Sequence, residues 1–480
     1  MAETFEVLRA EALGPITADL TVAANAAGAA GASPFADAAA ASAVIASSAA
    51  SVGLANQWYG IEWDTAVSSS ACTRIGNLNL HVASLGAVRG LPIQSKMRGC
   101  LLSDAGVVNY YLNPNDWTKK ANGTAAVLDG ADGMVMVEIP AHYARFETEG
   151  TKRRAMISEF ALPGFTLVPS RYIGAYEGAV QRSVLKLASV VNTTTDYRGG
   201  NNTSAWDAET RTLLGRPATN ITRTNFRTYA RNRAAGTKWN ITTMDAYISL
   251  FWLRAIEYAN FNTQLAYNAT LTAEGYRQGG LGDGVTTLSG ATWTTWNSSN
   301  PFIPCGQTNS IGNFTGTVNY VMPAEYGTLT VSVPRYRGIE NPFGHLWKWL
   351  DGVNVNVQSV ASGDQSQLYV ASNPADFGDT LTNHTLRGLL ARAENYIREI
   401  VHGNSGDIFG SVVGGAGSSS TTFFADYFYT TIPGSGVSIR VPIVGGAATL
   451  GGAMGPAACQ LYFQASYADN TIGARLCYIP

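Results

Sequence analysis

The chain has 480 residues, with 32 Lys and Arg against 34 Asp and Glu, a formal net charge of −2 and 14% charged residues. That length allows two or three domains, or one large domain with insertions. The near-neutral balance leaves no electrostatic footprint for nucleic acid or an anionic membrane.

The 51 glycines point to many turns and short strands. Five cysteines (Cys72, Cys100, Cys305, Cys459, Cys477) are scattered, odd in number and without a CxxC pair. That pattern argues against a disulfide scaffold and against a zinc site. No apolar run reaches membrane-spanning length, so no membrane insertion is expected. The start, Met1-Ala-Glu-Thr-Phe-Glu-Val-Leu-Arg9, is acidic where a signal peptide needs a basic start and an apolar run. The expectation is a protein made in a cytoplasm without an export address.

Residues 1–56 form a compositional zone of their own, dominated by Ala, Ser and Gly from Ala23 to Ala55 and broken by Pro34. The stretch from Asp37 has high helix propensity but no large side chains to bury. It reads as an attachment or oligomerisation segment, with a low-complexity tail as the other reading.

From Gln57 the texture changes to short strands. Leu91-Pro-Ile-Gln94, Met97-Arg-Gly-Cys-Leu-Leu102, Val107-Val-Asn-Tyr-Tyr-Leu112 and Met134-Val-Met-Val-Glu-Ile-Pro140 read as strand pieces between Gly, Pro and Asn turns. Asp129 and Asp132 lack EF-hand spacing and read as turn aspartates. A helix is expected to start at Thr242 or Thr243, with Asp245 in its first turn, and to run to Ala259. Being apolar nearly all round, it belongs in the interior. Gly279-Gly-Leu-Gly-Asp-Gly284 fails the dinucleotide spacing and reads as a loop. Arg337 to Gly352 forms a dense cluster, followed by a strand over Val353-Asn-Val-Asn-Val357.

The last segment, 423–480, differs from all of this. Aromatic pairs lead into a strand-like stretch over 437–444 and then the Gly445-Gly446 pair. A second aromatic patch (Tyr462, Phe463, Tyr467) follows, and a strand over 472–479 closes the chain. Only Asp426, Arg440, Asp469 and Arg475 carry charge there, and asparagine is absent between Asn404 and Asn470. A Tyr-, Ser-, Gly- and Thr-rich, low-charge segment on short strands has the composition of a binding paratope. The bland alternative is the β-rich end of a core.

Catalytic signals are poor: the chain has no Gly-x-Ser-x-Gly, no His-Glu-x-x-His and no Walker loop. His81, His142, His345, His384 and His402 are isolated and read as structural, and Cys459 and Cys477 as buried inert thiols. No enzyme activity, cofactor or metal is expected.

The order Gly344-His-Leu-Trp-Lys-Trp349, Arg440-Val-Pro-Ile-Val-Gly-Gly446, Ile472-Gly-Ala-Arg-Leu476 resembles the formylglycine-generating-enzyme branch of the C-type lectin fold. More closely, the chain is similar to the variable proteins of diversity-generating retroelements, particularly those of gut-bacterial phages. Ile339-Glu-Asn-Pro-Phe-Gly, Gly473-Ala-Arg-Leu-Cys-Tyr478, Tyr59-Gly-Ile-Glu-Trp-Asp64, Val135-Met-Val-Glu-Ile-Pro140 and Leu162-Pro-Gly-Phe165 carry that likeness over 57–480. The sulfatase-activating enzymes use a close cysteine pair between the last two motifs. Here Cys459 stands alone and His345 replaces the motif asparagine, so the copper-dependent thiol chemistry is not implied.

The resemblance implies an α+β C-type lectin domain over 57–480, with 423–480 as a variable ligand-binding segment altered by adenine-directed mutagenesis. Loss of Asn and Lys fits, because their codons are adenine-rich. The displayed residues are expected to be Tyr427, Phe428, Tyr429, Val437, Ser438, Thr449, Leu450, Met454, Gln460, Tyr462, Phe463 and Tyr467, some of them in the core. Trp347, Trp349, Arg440, Gly445, Gly446, Gly473 and Arg475 are expected to be scaffold: the glycines for tight backbone geometry, the arginines for charge-assisted anchoring. The first and last strands of the domain are expected to pair.

The function implied is a receptor-binding protein of a phage tail fibre or baseplate, carried in the virion and assembled as a homotrimer. Its partners would be a host-cell surface receptor, protein or glycan, and other tail or baseplate proteins docked through the Ala-rich head. A bacterial cell-surface adhesin of the same fold is the alternative, and predicts an export signal or lipid-attachment cysteine. An oxidase of the sulfatase-modifying branch would need the missing cysteine.

Overall fold

The computed structural model describes residues 57–76, 91–267, 290–323 and 330–480. The Ala-rich head, His81 and the loop at Gly279 to Gly284 lie outside the described residues. Over those described, the protein is mostly β, with several antiparallel and mixed sheets and three α-helices: α1 (Arg223–Arg231), α2 (Met244–Tyr258) and α3 (Gly290–Asn297).

Helix α2 forms where the cap and apolar run place it. The Thr243 hydroxyl accepts from the Ala246 amide at 3.2 Å, Asp245 sits in the first turn, and Ala259 closes the helix in the left-handed region. Twelve of its fifteen residues are buried, which matches the absence of a polar stripe. Trp252 stacks on Trp63 at 5.5 Å and donates from Nε1 to the Gly406 carbonyl at 2.7 Å. Near the end, buried Glu257 is held by Arg337 and by the Tyr336 hydroxyl at 2.9 Å.

Two seven-stranded sheets position the last segment. One is mixed, in the order Asp407–Val413, Asn395–His402, Tyr427–Thr430, Cys459–Leu461, Ile443–Val444, Trp347–Trp349, Ile472–Gly473. Its side chains alternate between two cores, as a strand period of two requires. Phe428, Val444, Cys459 and Leu461 enter the core around α2, while Trp347, Trp349, Ile443 and Ile472 enter the other. The second sheet ends in Trp239–Ile241, with Leu476–Tyr478 between it and Arg171–Gly174. A four-stranded sheet carries Val437–Arg440 on its edge, paired only with Val353–Gln358.

The structure departs from several expectations. The first and last strands do not pair. Trp58–Asp64 lies between Thr73–Gly76 and Lys152–Ser158, and both edges of Leu476–Tyr478 are taken by Arg171–Gly174 and Trp239–Ile241. Leu91 to Gln94 is a turn entering a 3-10 helix, Gln94–Lys96, not a strand.

The stretch 437–444 is two strands in two sheets, Val437–Arg440 and Ile443–Val444, with Pro442 between them, where a ladder N–H is lacking. The closing strand likewise divides into Ile472–Gly473 and Leu476–Tyr478.

Candidate functional site: an aromatic row over a buried polar hub

Tyr427 and Tyr429 alternate onto one face of the strand Tyr427–Thr430, with ring centroids 4.6 Å apart. Tyr396 lies opposite Tyr427 on the antiparallel neighbour and meets it edge-on at 5.1 Å. On the other side the parallel strand Cys459–Leu461 sets Gln460 beside Tyr429, and its continuation brings Tyr462 to 6.3 Å from Tyr429. Phe463 follows at 6.0 Å, and Tyr467 stacks on Phe463 at 3.8 Å. Six rings, from Tyr396 to Tyr467, therefore form one unbroken row.

Polar contacts hold the row in place. The Tyr462 hydroxyl donates to exposed Glu394, whose Oε1 also accepts the Thr430 amide at 3.0 Å. Arg440 donates from Nη1 to the Tyr462 carbonyl, and the Tyr467 hydroxyl reaches Asp469 at 3.3 Å. On the same face of the sheet, Trp347 meets Tyr429 edge-on at 6.0 Å.

Of the residues expected on the binding face, Tyr427, Tyr429, Tyr462, Phe463 and Tyr467 are rings of the row, and Gln460 shares it through its pairing with Tyr429. Ser438 joins at the margin, 3.5 Å from the Gln464 amide, and Val437, 59% exposed, flanks it on the edge strand. Thr449 and Leu450 are half-buried outside the row of rings. They lie in a loop whose carbonyls at Gly451 and Met454 accept from the Gln264 amide.

Two residues need correction. Phe428 and Met454 are fully buried and display nothing. Phe428 lies between two surface tyrosines, so strand alternation turns it into the core around α2. Met454 packs under the glycine pair, where a Cβ built on Gly446 would stand 2.4 Å from its own Cβ.

Beneath the row lies a buried polar hub. Glu177 sits between His345 Nδ1 at 2.6 Å and Lys348 Nζ at 2.9 Å. Burial opposes its charge, but Lys348 and His345 outweigh burial and bring the carboxyl down to about 2. Arg475 is buried and donates to three carbonyls, Gly174 at 2.9 Å, Glu340 at 2.6 Å and Asn341 at 3.0 Å. Glu340 receives the Gly306 and Thr308 amides at 2.8 and 2.7 Å. Asp351 takes a bidentate contact from Arg227, both bonds 2.7 Å, tying α1 to the Trp347–Trp349 strand end.

Of the expected scaffold residues, Arg475 belongs to this hub, Gly445 and Gly473 lie beside Lys348, and Arg440 stands apart, half-buried on the Tyr462 carbonyl. Trp347 and Trp349 are buried, Gly445 and Gly446 have φ of 90° and 78°, and Gly473 is a close approach, 3.2 Å from the Ala218 carbonyl for an added Cβ.

Tyr396, Glu394 and Glu177 were not legible as parts of the site. Tyr396 and Glu394 lie upstream of the segment that composition sets apart, and only strand pairing brings them to it. Glu177 carried one usable signal: a carboxylate closing the apolar run Tyr172-Ile-Gly-Ala-Tyr-Glu177, which needs a buried cation.

No family model matches the chain, and no curated protein matches it.

Proposed function

We propose that the chain is a receptor-binding protein of the C-type lectin fold, formylglycine-generating-enzyme type, mounted at a phage tail fibre or baseplate tip. It attaches the particle to a protein or glycan on the host-cell surface. The row of six rings is the observation that carries this reading. Aromatic side chains supply large contact area at low conformational-entropy cost, and they dominate interfaces when clustered.

The motif order in the chain supports the fold assignment. The 339–352 cluster, the glycine pair and Arg475, far apart in sequence, are the parts of the polar hub and its frame. The row rests on short strands backed by two cores, so its side chains are free to vary while the hub stays constant. That separation suits a diversified protein. The Ala-rich head would dock to the tail and hold the copies of a homotrimer. Cys459 speaks against the oxidase alternative, because burial pushes its thiol well above its ordinary value and so weakens it as a nucleophile.

The test is attachment. Fluorescently labelled full-length chain is added to a panel of gut-bacterial strains, with periodate- and protease-treated cells beside the untreated ones. Saturable binding to some strains, lost after one of the treatments, is expected. Equal binding to every strain, or binding to none, would refute the receptor-binding reading.

A further inference from the structure

A second site lies on the scaffold. A cavity of about 380 Å³ opens between the strands His142–Glu149 and Lys152–Ser158, the first half of α2, and the turn at Asn404 and Ser405. It shares no residue with the aromatic row. Its floor is apolar: Phe146 and Trp252, with rings 5.4 Å apart, and Ile157 and Ile248 beside them.

Three polar groups interrupt this floor, and each is left short of a partner. Arg171 is 7% exposed, yet among the described residues its guanidinium makes a single hydrogen bond, from Nε to the Pro169 carbonyl at 3.2 Å. No carboxylate among the described residues pairs with it. The acid across the cavity, Asp245, is engaged by Arg387 at 3.4 Å, and Arg387 is further neutralised by Asp407 at 3.3 Å.

His142 is 2% exposed, and its Nδ1 lies 3.0 Å from the Pro140 carbonyl. The proton therefore sits on Nδ1, and Nε2 keeps its lone pair. Burial, reinforced by Arg171, brings the ring down to about 4 and holds it neutral. Ser249 is 6% exposed, and its hydroxyl has no hydrogen-bond partner among the described residues.

Both terminal NH₂ groups of Arg171 are without a protein partner among the described residues and open on the cavity, where only solvent or a ligand meets their charge. A guanidinium fork suits a carboxylate. The apolar floor suits a hydrocarbon or aryl body, and a few convergent polar groups in a concave apolar site are the anatomy of a small-molecule pocket. We propose that this cavity binds an amphipathic carboxylate: the acid group on Arg171, and the apolar body on Phe146, Trp252 and Ile248. His142 Nε2 would accept from a ligand hydroxyl or N–H. The site is independent of the attachment face, so a failed attachment test leaves it standing.

The experiment uses the full-length chain and four probes: octanoate, 3-phenylpropanoate, octylamine and inorganic phosphate. Calorimetric titration and melting shifts are both read. The two acids are expected to bind saturably and raise the melting temperature, whereas octylamine and phosphate leave it unchanged. Arg171→Met should weaken octanoate on the order of tenfold to a hundredfold, the loss of a charge-assisted hydrogen-bonded pair. Should Arg171→Met not fold, Thr166→Trp decides, because Thr166 is an exposed lining residue on an edge strand and the larger ring obstructs entry. No binding of either acid, equal binding of phosphate, or unchanged octanoate affinity in the variant that folds would overturn the proposal.

Discussion

Asp426 shows how much one residue of the last segment is constrained. It is fully buried beside Gly455 and accepts the Ala457 amide at 2.7 Å. A Cβ on Gly455 would stand 2.1 Å from its Oδ1, so only glycine admits the carboxyl. Burial, opposed by that amide and by Arg254, pushes the acid up to about 8. The folded form therefore keeps a proton that the unfolded chain releases near pH 4. The stability contributed is whole below that pH and falls as pH rises toward 8, by up to about 1.4 kcal/mol per pH unit.

Asp426→Asn keeps the shape without the proton and should flatten that decline in urea unfolding curves taken from pH 4 to 8. An unchanged slope would contradict the buried protonated acid. Glu177 works with the opposite sign. Its depressed carboxyl stabilises above the ordinary carboxylate range, and that stability is lost as pH falls toward 2. Glu177→Gln strands Lys348 in the interior and should cost about 3–5 kcal/mol at neutral pH, measured by denaturant unfolding.

At the scale of elements, α2 was the most legible part of the fold, because the cap, the acidic first turn and the unbroken apolar run all point to one answer. The last segment was harder to read. Its aromatic composition marks a surface, but position within a strand decides exposure. The alternation of Tyr427, Phe428 and Tyr429 was visible in the sequence and places the middle ring inside. Pro442 was equally visible, and it divides what composition alone joins into one strand. Nothing local foretold that Leu476–Tyr478 would sit between Arg171–Gly174 and Trp239–Ile241, because strand partners are chosen by long-range packing.

The loop after Gly445 yields a direct test. Gly446→Ala forces a left-handed φ of 78° on an L residue and a Cβ onto Met454. It should destabilise by about 2–4 kcal/mol, read from the shift in the urea midpoint. A change within about 0.5 kcal/mol, as at an ordinary surface position, would mean that the loop moves freely.

Across the whole molecule, a buried polar hub and two apolar cores carry the row of rings, with Tyr429 and Phe463 packed in part against one of those cores. The motif cluster at 339–352 was legible as a unit, and its residues prove to be buried, with His345 and Lys348 bonded to Glu177, Asp351 to Arg227 and Glu340 to the Thr308 amide. The row of rings was legible only in part. Five of its members fall in the composition-marked segment, but Tyr396 and the Glu394 contact arrive from a distant strand.

The central claim is that the row binds a ligand and does not hold the fold. Host-cell binding and thermal unfolding, measured together on Tyr462→Ala, Tyr467→Ala and Trp349→Ala, test it most directly. Tyr467 is 37% exposed and Tyr462 half-buried, whereas Trp349 is fully buried and donates from Nε1 to the Ile221 carbonyl at 3.2 Å. The two tyrosine variants should keep stability to within about 1 kcal/mol while weakening attachment by roughly tenfold or more. Trp349→Ala should lose about 3–5 kcal/mol of stability. If the tyrosine variants melt as early as the tryptophan variant, or bind host cells as tightly as the parent chain, the row is part of the core and the binding face lies elsewhere.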